Sequence, residues 1–133
     1  MSADFSELWR RKTLESADIR ALVGDRVYPR HISSVAGATY PAISLFNLGT
    51  TKKLSVISGQ YQMDTWAYNE VDARHLQDYL EQIWNPEYIS KMPTGSGVHV
   101  MFLEGPGRSD GAFEDDIKLF HKIGIYLVAW RAS

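Results

Sequence analysis

The chain has no cysteine. That excludes disulfide staples, thiolate metal sites and a cysteine nucleophile, and it fits a reducing compartment. It also lacks an excess of either charge: 14 Lys and Arg stand against 16 Asp and Glu, for a formal net charge of −2. A domain that holds nucleic acid by neutralising phosphates carries a clear basic surplus, so this balance argues against a dedicated DNA or RNA binder. Long apolar runs are missing too. No stretch approaches the roughly 20 residues of a membrane-spanning helix. The first residues carry Asp4, Glu7, Arg10, Arg11 and Lys12 in place of the apolar core of a signal peptide. The expectation is a soluble protein made in the cytoplasm, with no membrane partner.

What is present supports a packed core. Hydrophobic residues make up 44 % of the 133 positions, with four Trp, seven Tyr and five Phe, too aromatic for a disordered chain. This length suits one domain, residues 1–133, and leaves little room for two.

Pattern and punctuation divide the chain into short elements. Asp4 with Glu7 resembles a capping box, and Phe5, Leu8 and Trp9 then share a helical face. Residues 16–23 form a second short helix with Ile19, Leu22 and Val23 as its stripe and Gly24 as its stop. A small strand at 26–28 ends at Pro29, and the Ser-, Gly- and Ala-rich residues 31–40 read as loop. A strand over 42–48 is followed by a long hairpin connection over 49–59, which contains Lys52 and Lys53, and by a return strand over 60–68. Asn69 then caps the clearest helix, with Glu70 and Asp72 in its first turn and Leu76, Tyr79, Leu80 and Ile83 on one face. Residues 91–97 are a turn region and 98–104 a strand. A second long loop runs from Gly105 to about Asp115, and a long alternating strand closes the chain at 117–130. Hairpin-linked strands with helices between them predict an α+β domain: a mainly antiparallel sheet with helices packed on one side and two long hairpin loops. Loops of that length in a small domain are usually functional or disordered.

A search for chemistry finds little. Gly105–Pro106–Gly107 is followed by glycine only at 111, so the dinucleotide fingerprint fails, and no phosphate-binding P-loop exists. His31, His75, His99 and His121 are scattered. His75 and Asp78 have a spacing that can face a metal, but Glu70, Arg74 and Asp78 form a four-residue charge ladder beside them, which reads as a solvated helix face. Asp110, Glu114, Asp115 and Asp116 lack the order of a calcium loop and read as a charged loop that keeps strand edges soluble or meets a partner. Arg10, Arg11 and Lys12 suit a helix C-terminal end better than a DNA contact. Ser33 and Ser34 lack a nucleophile-elbow context. Trp66 and Trp130 read as core or subunit-interface residues. No catalytic residue, cofactor or metal is expected. Lys52, Lys53, Asp110, Asp115 and Asp116 are the candidate partner-contact residues, chosen for exposure and charge.

The order of motifs resembles a known family. Residues 18–29 form a short helix ending Leu22–Val23–Gly24, followed by Arg26–Val27–Tyr28–Pro29. This is similar to the amino-terminal hallmark of phage tail-completion (tail terminator) proteins. Tyr40–Pro41–Ala42–Ile43–Ser44–Leu45, then Tyr61–Gln62–Met63–Asp64–Thr65–Trp66–Ala67, the helix with Ala73, Leu76 and Leu80, and the closing Ile125–Tyr126–Leu127–Val128–Ala129–Trp130 resemble the family in the same order. The likeness spans about residues 14–131. The stretches around Lys52–Lys53 and over 105–116 depart from the family pattern. The resemblance implies a virion structural protein that assembles as a homo-oligomeric ring, often a hexamer, on the head-proximal end of a siphophage tail tube. Such a ring ends tube growth, meets the tail tube protein on one side and the head–tail connector (stopper) protein on the other, and lets DNA through its lumen without specific binding. A connector stopper or neck protein is the alternative, and a small ligand-binding α+β domain ranks after it.

Overall fold

The computed structural model describes residues 4–30, 32, 35–85, 94–95, 97–110 and 119–132. Helix α1 (Phe5–Thr13) starts at Asp4, whose side chain accepts a hydrogen bond from the Ser6 N–H, and ends on the basic turn Arg10, Arg11 and Lys12. Helix α2 (Ala17–Val23) is capped by Ser16, whose hydroxyl accepts from the Ile19 N–H at 3.3 Å. It stops at Gly24, whose φ of +63° suits a residue without Cβ. Helix α3 (Glu70–Ile83) is capped by Asn69, which accepts from the Asp72 N–H at 2.8 Å.

The strands are β1 (Val27–Tyr28), β2 (Ala42–Lys53), β3 (Val56–Ala67), β4 (Thr94–Gly95), β5 (Val98–Asp110) and β6 (Phe120–Ala132). They form one sheet in the order β1-β2-β3-β6-β5-β4, antiparallel except for the β1–β2 pair. The α+β class and mostly antiparallel sheet are as expected.

The hairpin loops are not. Residues 49–53 and 56–59, read above as a connection, are strand: Lys53 pairs with Val56, so only Leu54 and Ser55 turn the chain. Here β2 runs past the core while Ile57 of β3 still packs against it, so β-branched Thr50 and Thr51 and the edge-tolerant Lys52 and Lys53 need no apolar alternation. Gly59 makes the crossing possible. A Cβ there would lie 2.3 Å from the Gly49 carbonyl oxygen and 2.5 Å from the Thr50 side chain, beside the bulge between Asn47 and Gly49. The second expected loop also begins later than its sequence indicates, because β5 continues through Gly105, Pro106 and Gly107 to Asp110 with register shifts at 100/102 and 104/107. Its remainder, with Glu114, Asp115 and Asp116, lies outside the described residues, as do His31, Ser33, Ser34 and most of 91–97.

One face of the sheet carries the three helices. Ile43, Leu45, Tyr61, Met63, Val100, Leu103, Tyr126, Val128 and Trp130 pack there against Phe5, Leu8, Trp9, Ile19, Leu76, Leu80 and Trp84. The indole N–H of every tryptophan has an acceptor. Trp9 donates to Met63 Sδ at 3.3 Å, Trp66 to Ser44 Oγ at 3.1 Å, Trp84 to Thr13 Oγ1 at 3.1 Å and Trp130 to Tyr61 Oη at 3.2 Å. Trp66 and Trp130 are thus core residues of this chain. Trp66 belongs to a smaller cluster on the opposite face, with Ile32, Ala42 and Leu119.

The motif around 18–29 has a mechanical reason. Arg26 donates to the Pro41 carbonyl at 2.8 Å and the Leu22 carbonyl at 3.3 Å, tying the end of α2 to the entry of β2. Arg10 donates to the Val27 carbonyl at 2.9 Å and the Asp25 carbonyl at 3.3 Å, tying the end of α1 to β1.

Candidate assembly interface

The sheet leaves parts of both margins and the arm half of its helix-free face uncovered by described residues, while the other half of that face is covered around Trp66 by the cluster with Ile32 and Leu119. On one margin, β1 pairs with β2 only at Ile43 and Ser44, and no described strand lies beyond β2 from Leu48 to Lys53. This stretch, the β2 arm, is an open edge: β3 beside it is paired with β6 from Ile57 onward, so only the turn at Leu54 and Ser55 projects beyond the sheet. At its tip Leu54 is 91 % exposed with φ of +59°, a conformation costly for a side chain with a Cβ. Lys52 and Lys53 lie beside it, both exposed and neither with an acidic partner among the described residues.

On the other margin, β4 covers β5 only at Val98 and His99, and no described strand lies beyond β5 from Met101 to Asp110. Met101 and Phe102 are 42 % and 44 % exposed, and Leu127, paired with Glu104, is 41 % exposed. Glu104 is exposed and has no cationic partner among the described residues. Alternation places Phe102, Glu104, Leu127, Gln60 and Gln62 on the helix-free face. Exposed apolar groups gathered on a sheet margin mark interaction surfaces more often than scattered ones do.

Polar residues elsewhere are used to brace the fold. Arg108 reaches back from β5 to α3, 2.8 Å from Asp78 and in close contact with Glu81. The Glu81 hydrogen bond, then that of Asp78, holds the guanidinium in its charged form. Asp78 is thereby engaged and unavailable to pair with His75 over a metal, and no group of metal-ligating side chains occurs among the described residues. Lys122, nearly buried, lies 2.8 Å from Asp110 and 3.2 Å from Glu70. The Asp110 hydrogen bond raises the pKa of Lys122, and the same bond lowers that of Asp110. Burial pushes the Tyr126 and Tyr61 hydroxyls up. On the helix-free face, His121 stacks on Trp66 with ring centroids 3.6 Å apart, and its Nε2 lies 3.2 Å from the buried Asp64 without the direction of a hydrogen bond.

The residues chosen from sequence therefore separate. Lys52 and Lys53 are on the exposed arm, at a strand end and not in a loop. Asp110 is braced by Lys122 at the opposite end of the sheet. Asp115 and Asp116 lie outside the described residues. Leu54, Phe102 and Glu104, with Leu127 beside Glu104 on the inner strand β6, were missed; only their register, not their type, brings them together with the margins.

No helix among the described residues is long and apolar enough to cross a membrane. No known protein-family model matches the chain, and no characterised protein is detectably similar in sequence.

Proposed function

We propose that this chain is a virion structural protein of the tail-completion (tail terminator) type. In this reading it forms a ring, hexameric as in the family it resembles, on the head-proximal end of a siphophage tail tube. The ring ends tube polymerisation and presents the joining surface to the head connector. The observation that carries the reading is the pair of unlike sheet margins on one small domain, the β2 arm and the Met101–Phe102–Glu104 edge, each without a described strand beyond it. A ring requires heterologous contacts, in which one patch of each subunit meets a different patch of the next. Closing the sheet on neighbouring copies is also a way to cover edges that would otherwise invite aggregation.

Two further features support a structural rather than an enzymatic role. The ion pairs of Arg108 and Lys122 join α3 to β5 and β6. On the arm half of the helix-free face the middle strands carry uncharged Ser58, Gln60 and Gln62, with Lys53 and Glu104 of opposite sign on the margins, a balance that would let DNA pass without being gripped.

The test is the absolute mass of the purified protein by light scattering over a concentration series, with electron microscopy of the same sample and of tail tubes mixed with it. Rings, or monomers that become rings at tube ends, are the expected outcome. A monomer or simple dimer that ignores tube ends would sink the reading. Binding to the portal-side complex alone would transfer it to the stopper class.

A further inference from the structure

We infer that the β2 arm of one copy docks along the β5 edge of the next copy, with Lys53 seated near Glu104 and the apolar Leu54 near Met101 and Phe102. The inference rests on the ring reading for its biological setting and adds to it which surfaces meet. Three observations carry it.

The first is direction. The pairs β2–β3, β3–β6 and β6–β5 are all antiparallel, so β2 and β5 run in opposite senses within one molecule. A copy related by rotation therefore brings its β2 beside β5 antiparallel, and the alternation of strands continues unbroken across the junction.

The second is level. Thr51, Ser58, Ala129 and Phe102 lie in one row across the sheet, as do Gly49, Gln60, Leu127 and Glu104. The open stretches of the two margins thus overlap in height at Gly49–Thr51 and Phe102–Glu104, while Lys52 is level with Val100 and Lys53 with the part of β5 that β4 covers. Without stagger, Thr51 faces Phe102 of the neighbour; a stagger of four residues brings Lys53 to Glu104.

The third is chemistry. The arm offers two ammonium groups and an apolar tip, and the edge offers one carboxylate beside three exposed apolar side chains, Met101, Phe102 and Leu127. None of these charges has a partner of opposite sign among the described residues. In the staggered register Lys52 back to Gly49 run opposite Gly105 to Ser109, and Pro106, which has no N–H to donate, leaves one gap in that pairing, as an edge strand tolerates.

The absence of cysteine makes a direct test possible. Within one molecule Lys53 and Glu104 are on strands three spacings apart, roughly 14 Å at about 4.8 Å per spacing, beyond the reach of a disulfide. A Lys53→Cys/Glu104→Cys double variant can therefore cross-link only between copies. Under mild oxidation at high protein concentration it is expected to give covalent oligomers that close at the ring size, while each single variant does not. The Thr51→Cys/Phe102→Cys pair reads the unstaggered register in the same way. In parallel, Lys53→Glu and Glu104→Lys should each weaken assembly about tenfold or more, the scale of a close interfacial charge pair, and the combined reversal should recover it. Assembly with neither cysteine pair cross-linked would overturn this contact and leave the ring reading standing. Cross-linked oligomers that fail to cap tail tubes would uphold the contact and overturn the terminator assignment. A chain that stays monomeric and uncross-linked at every concentration would overturn the contact.

Discussion

Trp84 donates its indole N–H to the hydroxyl of Thr13 at 3.1 Å, and this buried bond locks the end of α3 to the end of α1 across 71 residues of sequence. Both side chains are fully buried, so neither group finds water when the other is removed. Thr13→Val keeps the shape and leaves the indole without an acceptor. The expected loss is about 1–3 kcal/mol, read as a lower urea midpoint with unchanged slope.

Arg26 ties α2 to β2 through the Leu22 and Pro41 carbonyls, and its own carbonyl accepts the Ile43 N–H at 3.0 Å. Arg26→Met keeps the aliphatic stem and removes the charged donor, with an expected cost of about 1.5–3 kcal/mol. Hydrogen exchange should show the Ile43 amide opening faster while the β3 amides paired with β6 keep their protection.

The Lys122–Asp110 pair sets a pH window. Lys122 is raised above its ordinary value of 10.5, so its contribution is complete below that pH and is lost as pH rises through the higher folded value. Asp110 is lowered below 3.8, so its contribution is complete above that pH and is lost as pH falls through the lower folded value. Melting temperature should be flat between these limits and fall outside them. Lys122→Met should remove the alkaline fall while changing stability at neutral pH by no more than about 1 kcal/mol, because the partners it leaves, Glu70 and Asp110, are well exposed.

The arm can be altered without the core. Leu54 touches little within its own molecule, so Leu54→Ser should leave unfolding within about 0.5 kcal/mol of the parent while reducing assembly in sedimentation. Gly59→Val places atoms onto the Gly49 carbonyl and Thr50, displacing the arm at an expected cost of about 1–3 kcal/mol. Circular dichroism of the helices should remain unchanged.

These sites differ in how far their sequence announces them. The three helices were legible because their starts carry side chains that accept the first free N–H groups, Asp4, Ser16 and Asn69, and because one stripe of each is buried. The arm was not. Period-two alternation arises when a strand has one buried face, and residues 48–53 have none, so Thr50, Thr51, Lys52 and Lys53 look like loop. Arg108 was missed because its partners Glu81 and Asp78 lie 27 and 30 residues away. Asp110 was read as part of a free acidic loop because nothing near it in sequence reveals that Lys122, in a mainly apolar strand, comes to its side. The helix elements follow from local physics; the margins and ion pairs follow from register, which only the folded sheet specifies.

The four indole bonds differ in acceptor: a thioether, a serine, a threonine and a tyrosine hydroxyl. Each ring nitrogen therefore sits in a distinct magnetic environment, and the protein carries four built-in resonance probes. Trp9 and Trp84 report the helical layer, Trp130 the end of the sheet nearest the arm, and Trp66 the opposite face. A single proton–nitrogen spectrum, followed during heating or over a concentration series, would resolve which layer loosens first and whether the surface near each ring becomes covered.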